Sequence, residues 1–177
     1  MTKTDVAKRI YETAHLTGTF TLRSGQISHE YFDKYLFEAE PALLADIAAL
    51  MKQLIPAGTQ VLAGLEMGGI PVATVLSAES GVRAAFVRKK AKEYGTCKLA
   101  EGSGVSGKEV CVVEDVVTTG GQIIESVREL RAGGAVIHTV LCVILRDEAA
   151  IQLLAKENLT LVPAFTMAEL KTAAGVL

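Results

Sequence analysis

The stretch VCVVEDVVTTGGQIIESV, residues Val110–Val127, decides the fold of this chain. It begins as an apolar run typical of a buried strand, passes through the turn residues Thr118–Gly121, and continues with apolar residues at helical spacing. Two adjacent carboxylates, Glu114 and Asp115, stand near the end of the apolar run. A strand, a tight turn and a helix in this order indicate a parallel sheet that is covered by helices.

A buried strand, a turn and a helix do not by themselves require two adjacent carboxylates. Side chains alternate along a strand, so at least one of Glu114 and Asp115 is expected to point toward a covered face. Burying an unpaired carboxylate costs several kcal/mol, on the order of the penalties measured for buried ions. In open α/β sheets, ligands bind at the carboxyl ends of the strands. The pair therefore indicates a partner that donates hydrogen bonds, such as a polyhydroxyl group or a hydrated metal.

The turn TTGGQ, residues 118–122, has the composition of an anion site. Gly120 and Gly121 let successive backbone N–H groups converge on one anion, and the helix that follows adds its positive end. The P-loop pattern GxxxxGK[ST] and the dinucleotide pattern GxGxxG are both missing here. Phosphate at the turn and hydroxyls at the carboxylates together describe a sugar phosphate.

The rest of the chain alternates helices and strands, which predicts a single α/β domain over residues 1–177 with a doubly wound, mostly parallel sheet. An N-terminal helix and a hairpin are predicted to form a small hood over about residues 1–37. The predicted helices cover 4–16, 41–55, 70–80, 122–131 and 149–157, with a short tail helix, and the predicted core strands cover 59–65, 82–87, 109–113, 135–145 and 160–165.

Residues 88–108, RKKAKEYGTCKLAEGSGVSGK, do not fit this alternation. They begin with basic side chains, end rich in Gly and Ser, and have almost no apolar periodicity. Loops of this length inside a compact domain are uncommon and are often functional lids. The segment is predicted to be either a solvated surface loop or a flexible lid.

Composition excludes several classes of protein. The chain has 177 residues, a net charge of -2, few aromatic residues and no Trp, which gives no support for nucleic-acid binding. Its three cysteines form no metal-ligand pattern, and no apolar run approaches the roughly 20 residues of a membrane span. The N-terminus lacks the apolar segment of a signal peptide, so a cytoplasmic protein without a membrane partner is predicted.

VVEDVVTTGG, residues 112–121, closely resembles the phosphoribosyl-diphosphate signature of the type I phosphoribosyltransferase family. Within that family the chain resembles the orotate phosphoribosyltransferases. Three further segments carry this narrower resemblance: FTLRSG near the N-terminus, RKKAKEYG in the long loop, and Arg146 after the strand VLCVIL. The match runs through almost the whole chain in the expected order, and it implies the fold of that family, a mostly parallel sheet flanked by helices.

The resemblance implies a reaction that joins orotate to the ribose of 5-phosphoribosyl 1-diphosphate, with diphosphate as the leaving group, in pyrimidine biosynthesis. Mg²⁺ is implied as the cofactor, held mainly by the substrate rather than by protein ligands. Because orotate carries its own nucleophilic nitrogen, positioning and electrostatic stabilisation are expected to dominate over covalent catalysis.

The resemblance also assigns residues. Lys92 and Asp115 are the implied catalytic residues, with Lys92 as the main transition-state contact. Orotate would be bound by the planar, basic and aromatic side chains Arg23, Tyr31, Phe32 and Arg146, with Thr118 close to the base. Phosphoribosyl diphosphate would be bound by Arg88, Lys89, Lys92, Tyr94, Glu114, Asp115, Val116, Val117, Thr118, Thr119, Gly120, Gly121 and Gln122. The basic loop of this family closes over the neighbouring subunit's site, so a homodimer is implied.

Two departures from the family's pattern stand out. Gly68 in GLEMGGIP occupies a position where relatives often have Lys, and Tyr94 stands where many have His. Two alternatives also remain: a phosphoribosyltransferase for another nucleobase, and a non-catalytic regulator that senses phosphoribosyl diphosphate. The basic residues Arg88, Lys89 and Lys92 argue against the regulator, which would be expected to have lost them.

Overall fold

The structure, a computed structural model, describes residues 1–22, 24–91 and 98–177. These residues contain seven helices and eight strands. The helices are α1 (Lys3–Ala14), α2 (Lys34–Glu38), α3 (Pro41–Lys52), α4 (Gly69–Ser80), α5 (Gly121–Ala132), α6 (Ala149–Ala155) and α7 (Met167–Ala173). The strands are β1 (His15–Thr21), β2 (Ile27–Phe32), β3 (Val61–Leu65), β4 (Arg83–Val87), β5 (Ala100–Gly102), β6 (Glu109–Val117), β7 (Val136–Leu145) and β8 (Thr160–Thr166).

A six-stranded sheet of order β5-β4-β3-β6-β7-β8 forms the centre of the molecule. All neighbouring pairs are parallel except β4 and β5, which are antiparallel. The central strands read as continuous apolar runs because both faces are covered; all five residues of β3, for example, are buried. The predicted fold class, a mostly parallel sheet flanked by helices, is confirmed.

Two apolar clusters lie on the opposite faces of the sheet. One packs α1, α3, α4 and α7 against the strands, and the other packs α5 and α6. Ile10, Ile47 and Leu141 are completely buried in the first cluster, and Ile137 and Leu154 are 99–100% buried in the second. A side chain of this size contributes about 1.5–3 kcal/mol when it leaves water.

The N-terminal segment adds α1 and a separate antiparallel hairpin to the core. A capping box between Thr2 and Asp5 begins α1. β1 and β2 pair from His15 opposite Phe32 to Thr21 opposite Ile27, with an irregularity between Thr17 and Phe20. The predicted helix and hairpin of the hood are therefore present.

Three elements differ from the sequence expectation. The short helix α2 follows β2 directly and was not predicted. β6 continues to Val117, beyond the predicted end at Val113, so both carboxylates belong to the strand itself. Residues 100–102 form β5 inside the segment 88–108 that was predicted to be a loop, because they pair with Ala85–Val87 at the edge of the sheet.

Candidate functional site

The turn between β6 and α5 brings backbone N–H groups to the carboxyl edge of the sheet. Gly120 has φ 82°, in the left-handed region, and a side chain there would meet Leu154 Cδ1 at 2.4 Å. Gly121 begins α5, and no described side chain caps this helix end. Thr118 and Thr119 are exposed beside it. The first N–H groups of α5 are thus directed toward the edge where an anion can bind.

The two carboxylates of β6 have different surroundings. Asp115 is 0% exposed, and its Oδ1 accepts a hydrogen bond of 2.6 Å from the Val116 N–H. Glu114 is half-buried, and its Oε1 accepts a hydrogen bond of 3.3 Å from the Asp115 N–H. The strand alternation therefore buries one carboxylate and leaves the other partly accessible.

Helix α2 supplies two more charged groups to this place. Lys34 Nζ forms an ion pair with Asp115, with Nζ 2.6 Å from Oδ2. Glu38 is 8% exposed, and its Oε1 has no hydrogen-bond partner among the described residues. Three carboxyl groups and one ammonium thus share a largely buried site, which we call the carboxylate cluster: Lys34, Glu38, Glu114 and Asp115.

Burial, together with the crowding of like charges, shifts the protonation of the residues in this cluster. Burial, and then the neighbouring Asp115, raise the pKa of Glu38 to about 9. Burial, and then the charge of Asp115, raise the pKa of Glu114 to about 8. Burial works to lower the pKa of Lys34, but its contact with Asp115 prevails and raises it. The cluster therefore binds protons at neutral pH, while Lys34 stays positively charged.

The loop after β3 packs against the same cluster. A Cβ on Gly68 would stand 1.7 Å from Asp115 Oδ2 and 2.9 Å from Glu38 Oε1, and a Cβ on Gly69 would stand 2.4 Å from the Val113 carbonyl oxygen. This contact gives a physical reason for a glycine at position 68. A side chain at position 68 would occupy the space of the Asp115 carboxylate.

A cleft of about 610 Å³ opens beside the end of β6. Tyr31, Phe32, Thr118 and Arg146, all predicted to contact orotate, line this cleft together. Arg146 is exposed, and its backbone N–H donates a hydrogen bond of 2.8 Å to the Val117 carbonyl. Arg23, the remaining residue of that prediction, lies outside the described residues.

The cleft also contains residues that the sequence did not single out. Lys34, Glu30, Lys171 and His15 line it. His15 Nε2 lies 3.0 Å from Glu30 Oε2, and its ring stacks on Tyr11 with centroids 4.8 Å apart. Glu30 and Tyr35 flank the predicted aromatic pair in SHEYFDKY, but nothing in that segment signals which side chains turn toward the cleft.

The other residues predicted to bind phosphoribosyl diphosphate are distributed as follows. Val116 lines the cleft, whereas Val117 is buried in the core and Gln122 is exposed at the start of α5. Arg88 is turned toward β5, where its Nε lies 4.0 Å from Glu101 Oε1. Lys89 is exposed, and its backbone N–H donates to the Glu66 carboxylate. Lys92 and Tyr94 lie outside the described residues.

The described residues provide neither a metal centre nor a membrane-spanning helix. The described residues include no group of three or more His, Cys, Asp or Glu side chains arranged to hold a metal ion, and the carboxylate cluster surrounds an ammonium instead. None of the described helices combines the length and apolar character that a membrane crossing requires.

Comparison with known proteins relates this chain to phosphoribosyltransferases. Residues 37–162 match the family described as the phosphoribosyl transferase domain. The orotate phosphoribosyltransferase of Nocardioides sp. is 53% identical over 168 residues, which cover 95% of this chain and 94% of that protein. The orotate phosphoribosyltransferase of Methanocella arvoryzae is 45% identical over 80% of this chain and 81% of its own length.

Solved structures with the same fold include two of orotate phosphoribosyltransferase from Mycobacterium tuberculosis H37Rv. The complex with Fe(III) dicitrate has a TM-score of 0.87 at 31% identity and covers 95% of this chain and 98% of that one. The complex with 5-phospho-alpha-D-ribosyl 1-diphosphate has a TM-score of 0.82 at 29% identity, with the same coverage.

Proposed function

This chain belongs to the phosphoribosyltransferase family, among its orotate phosphoribosyltransferases, and from this premise we propose that it transfers the 5-phosphoribosyl group from 5-phosphoribosyl 1-diphosphate to orotate. The products are orotidine 5'-monophosphate and diphosphate, in the route to pyrimidine nucleotides. The observation that carries the proposal is the arrangement at the end of β6. There the turn at Gly120, the carboxylate pair and the cleft with Arg146 lie next to one another.

The phosphate end of the substrate is assigned to the turn. The N–H groups from Thr118 to Gln122 and the two threonine hydroxyls would surround the 5'-phosphate, supported by the positive end of α5. Glu114 and Asp115 would accept hydrogen bonds from the ribose hydroxyls. This assignment uses the donors and acceptors that the two groups need, and the residues are neighbours along β6 and α5.

The diphosphate end is assigned to the basic segment after β4. Arg88, Lys89 and Lys92, with Tyr94, would contact the departing diphosphate, and Lys92 would stabilise its developing charge in the transition state. Mg²⁺ would enter as part of the substrate complex and neutralise part of the diphosphate charge. The described side chains offer it no dedicated set of ligands.

The base end is assigned to the cleft. The Arg146 guanidinium would pair with the orotate carboxylate or a ring carbonyl, because a planar fork of donors suits a planar anion. Tyr31 and Phe32 would pack against the pyrimidine, and Thr118 would approach the base from the turn. Arg23 would reach the substrate from the opposite side of the cleft.

The assembly proposed for this protein is a cytoplasmic homodimer in which the part of residues 88–108 that precedes β5 forms a lid over the partner's site. A lid would exclude water from an electron-poor ribose carbon, which water would otherwise attack.

The decisive experiment is an absorbance assay of the purified chain with orotate, phosphoribosyl diphosphate and Mg²⁺. Adenine, hypoxanthine and uracil serve as parallel substrates. Turnover of orotate alone supports the proposal. Turnover of another base instead would assign a different nucleobase, and binding of phosphoribosyl diphosphate without turnover of any base would assign a sensing role.

The ribose assignment has its own test in Asp115→Asn. The amide keeps the shape of the side chain but offers the ribose hydroxyl a neutral group in place of a charged acceptor, so phosphoribosyl diphosphate should bind about tenfold or more weakly, the scale of one charged hydrogen bond. Unchanged affinity in calorimetry would contradict the assignment of Asp115 to the ribose hydroxyls.

A further inference from the structure

The carboxylate proposed to meet the ribose is covered by a lysine. Asp115 is 0% exposed, and its Oδ2 has an accessible area close to zero. Its Oδ1 is already engaged by the Val116 N–H. Oδ2 is therefore the oxygen left for a substrate hydroxyl, and Lys34 Nζ stands 2.6 Å from it.

Lys34 is placed to move. Its side chain is 33% exposed, against 1% for Asp115, and it lines the cleft together with Arg146 and Thr118. In the same position the ammonium lies 5.3 Å from the centroid of the Tyr35 ring, a contact that also favours a cation. A long, partly solvated side chain can leave Asp115 by rotating toward the cleft, whereas the short Asp115 side chain is fixed in the strand.

Removal of the Lys34 ammonium without a replacement would leave the buried Asp115 carboxylate without a positive partner in the cluster. The groups that surround Asp115 are Lys34 and Glu38 on α2, Glu114 beside it on β6, and Cys142 on β7, which is the strand partner of Glu114. Gly68 closes the remaining side without a charge. Lys34 is thus the positive group of this cluster, among the residues that the structure describes.

From this geometry we infer that Lys34 is the displaceable counter-ion of Asp115, which neutralises and orients the carboxylate until the ribose hydroxyls of phosphoribosyl diphosphate take the ammonium's place. Lys34 is accordingly a positioning residue, since it acts through Asp115. The inference rests on the proposed function, because it concerns the same ribose site.

A counter-ion of this kind has a recognisable pH signature. The charge of Lys34 lowers the proton affinity of both Glu38 and Glu114. Without it the cluster takes up more protons at neutral pH, and these must leave before the ribose hydroxyls can donate into it. At high pH the carboxyl groups of the cluster are ionised even in a variant without Lys34. In that variant the ribose hydroxyls do not have to displace an ammonium from Asp115.

The test compares wild type, Lys34→Met and Lys34→Arg by calorimetric titration with phosphoribosyl diphosphate and Mg²⁺. The titrations are made at about pH 6.5, 7.5 and 9, because the pKa values of Glu114 and Glu38 are about 8 and about 9. The Kd of Lys34→Met should exceed that of wild type by about tenfold at pH 6.5, because the cluster without the ammonium holds a proton that must leave before the ribose hydroxyls bind. The ratio should fall to one or below at pH 9. Lys34→Arg, which keeps the charge, should follow wild type at every pH.

Other results of these titrations would overturn either the inference about Lys34 or the proposed function. A Kd ratio for Lys34→Met that is the same at all three pH values, or equal to one throughout, would overturn the inference, because a direct substrate contact or a merely structural role predicts no such convergence. Circular dichroism at each pH checks the fold, and Lys34→Gln carries the same expectation if Lys34→Met does not fold. A wild-type chain that does not bind phosphoribosyl diphosphate would instead overturn the proposed function itself.

Discussion

Gly68 lies so close to Asp115 that a methyl group on its α-carbon would stand 1.7 Å from Oδ2. The loop after β3 can approach the end of β6 because this position has no side chain. The same contact favours a glycine at this position, since a side chain here would displace the carboxylate that pairs with Lys34.

Gly68→Ala is therefore expected to damage the site as well as the fold. Overpacking of a buried position costs about 1–3 kcal/mol, and the methyl group must push Asp115 away from Lys34. Denaturant unfolding should report the loss of stability, and calorimetry should report weaker binding of phosphoribosyl diphosphate. Gly104→Ala is the matched control, because a Cβ at Gly104 meets nothing within 4 Å. Equal stabilities of the two variants would contradict the packing described.

The adjacent glycines of the turn should respond differently to the same substitution. Gly120 has φ 82° and faces Leu154, whereas Gly121 is helical with open space around its α-carbon. Gly120→Ala should lower the free energy of unfolding by about 1–2 kcal/mol for the left-handed backbone alone, and by more for the clash. Gly121→Ala should be neutral or slightly stabilising. Thermal unfolding of both variants tests this, and a similar loss in both would argue against the turn geometry.

Glu38 provides a pH-dependent prediction. Its pKa of about 9, against an ordinary 4.5, means that the folded chain binds this proton more tightly than the unfolded chain. The stabilisation from this group is complete below pH 4.5 and is lost as the pH rises toward 9. Glu38→Gln mimics the protonated form, so its Tm relative to wild type should rise between pH 5 and pH 9, by the equivalent of roughly 1–3 kcal/mol.

The control for this experiment is Glu40→Gln, an exposed carboxylate just after α2. Its Tm difference from wild type should stay constant over the same pH range. If Glu38→Gln also shows a constant difference, Glu38 does not carry a proton in the folded chain at neutral pH.

The strand, turn and helix around Asp115 could be predicted from sequence because their signals are local. Apolar runs, paired glycines and helical spacing all lie within Val110–Val127. The ion pair between Lys34 and Asp115 could not be predicted in this way. It joins residues far apart in the chain, and Lys34 lies on the five-residue helix α2, which is too short to show a periodic pattern.

Strand β5 was missed for a related reason. Residues 100–102 are Ala, Glu and Gly, which have low strand propensity, and they are held by pairing with β4 rather than by their own pattern. The burial of Glu38 was missed as well, because a glutamate at the end of a short helix is ordinarily exposed. Tertiary contacts outweighed local preference at each of these positions.

Arg146 should affect the base far more than the phosphoribosyl donor. Arg146→Ala should raise the KM for orotate by about 10- to 100-fold, the scale of a charge-assisted hydrogen bond, and leave the Kd of phosphoribosyl diphosphate within about threefold. Steady-state kinetics and calorimetry measure the two quantities separately. Arg128→Ala removes an exposed arginine that pairs with Glu157 and should leave the KM for orotate unchanged. A parallel loss of donor affinity in Arg146→Ala would place Arg146 at the phosphate end instead.

The lid and the homodimer can be tested together with Lys92. Lys92→Ala should lower kcat by about 10²- to 10³-fold, the effect of removing one transition-state charge contact, while Lys90→Ala, in the same segment, should not. Lys92→Ala protomers, which are slow in kcat, and Asp115→Asn protomers, which bind the donor weakly, are mixed and assayed at a phosphoribosyl diphosphate concentration well below the Kd of Asp115→Asn. After exchange, a lid that reaches the partner's site restores one intact site in each mixed dimer. Activity should then recover to about a quarter of the wild-type value, since half of the dimers are mixed. Failure to recover, with exchange shown by mass spectrometry, would mean that Lys92 serves its own subunit.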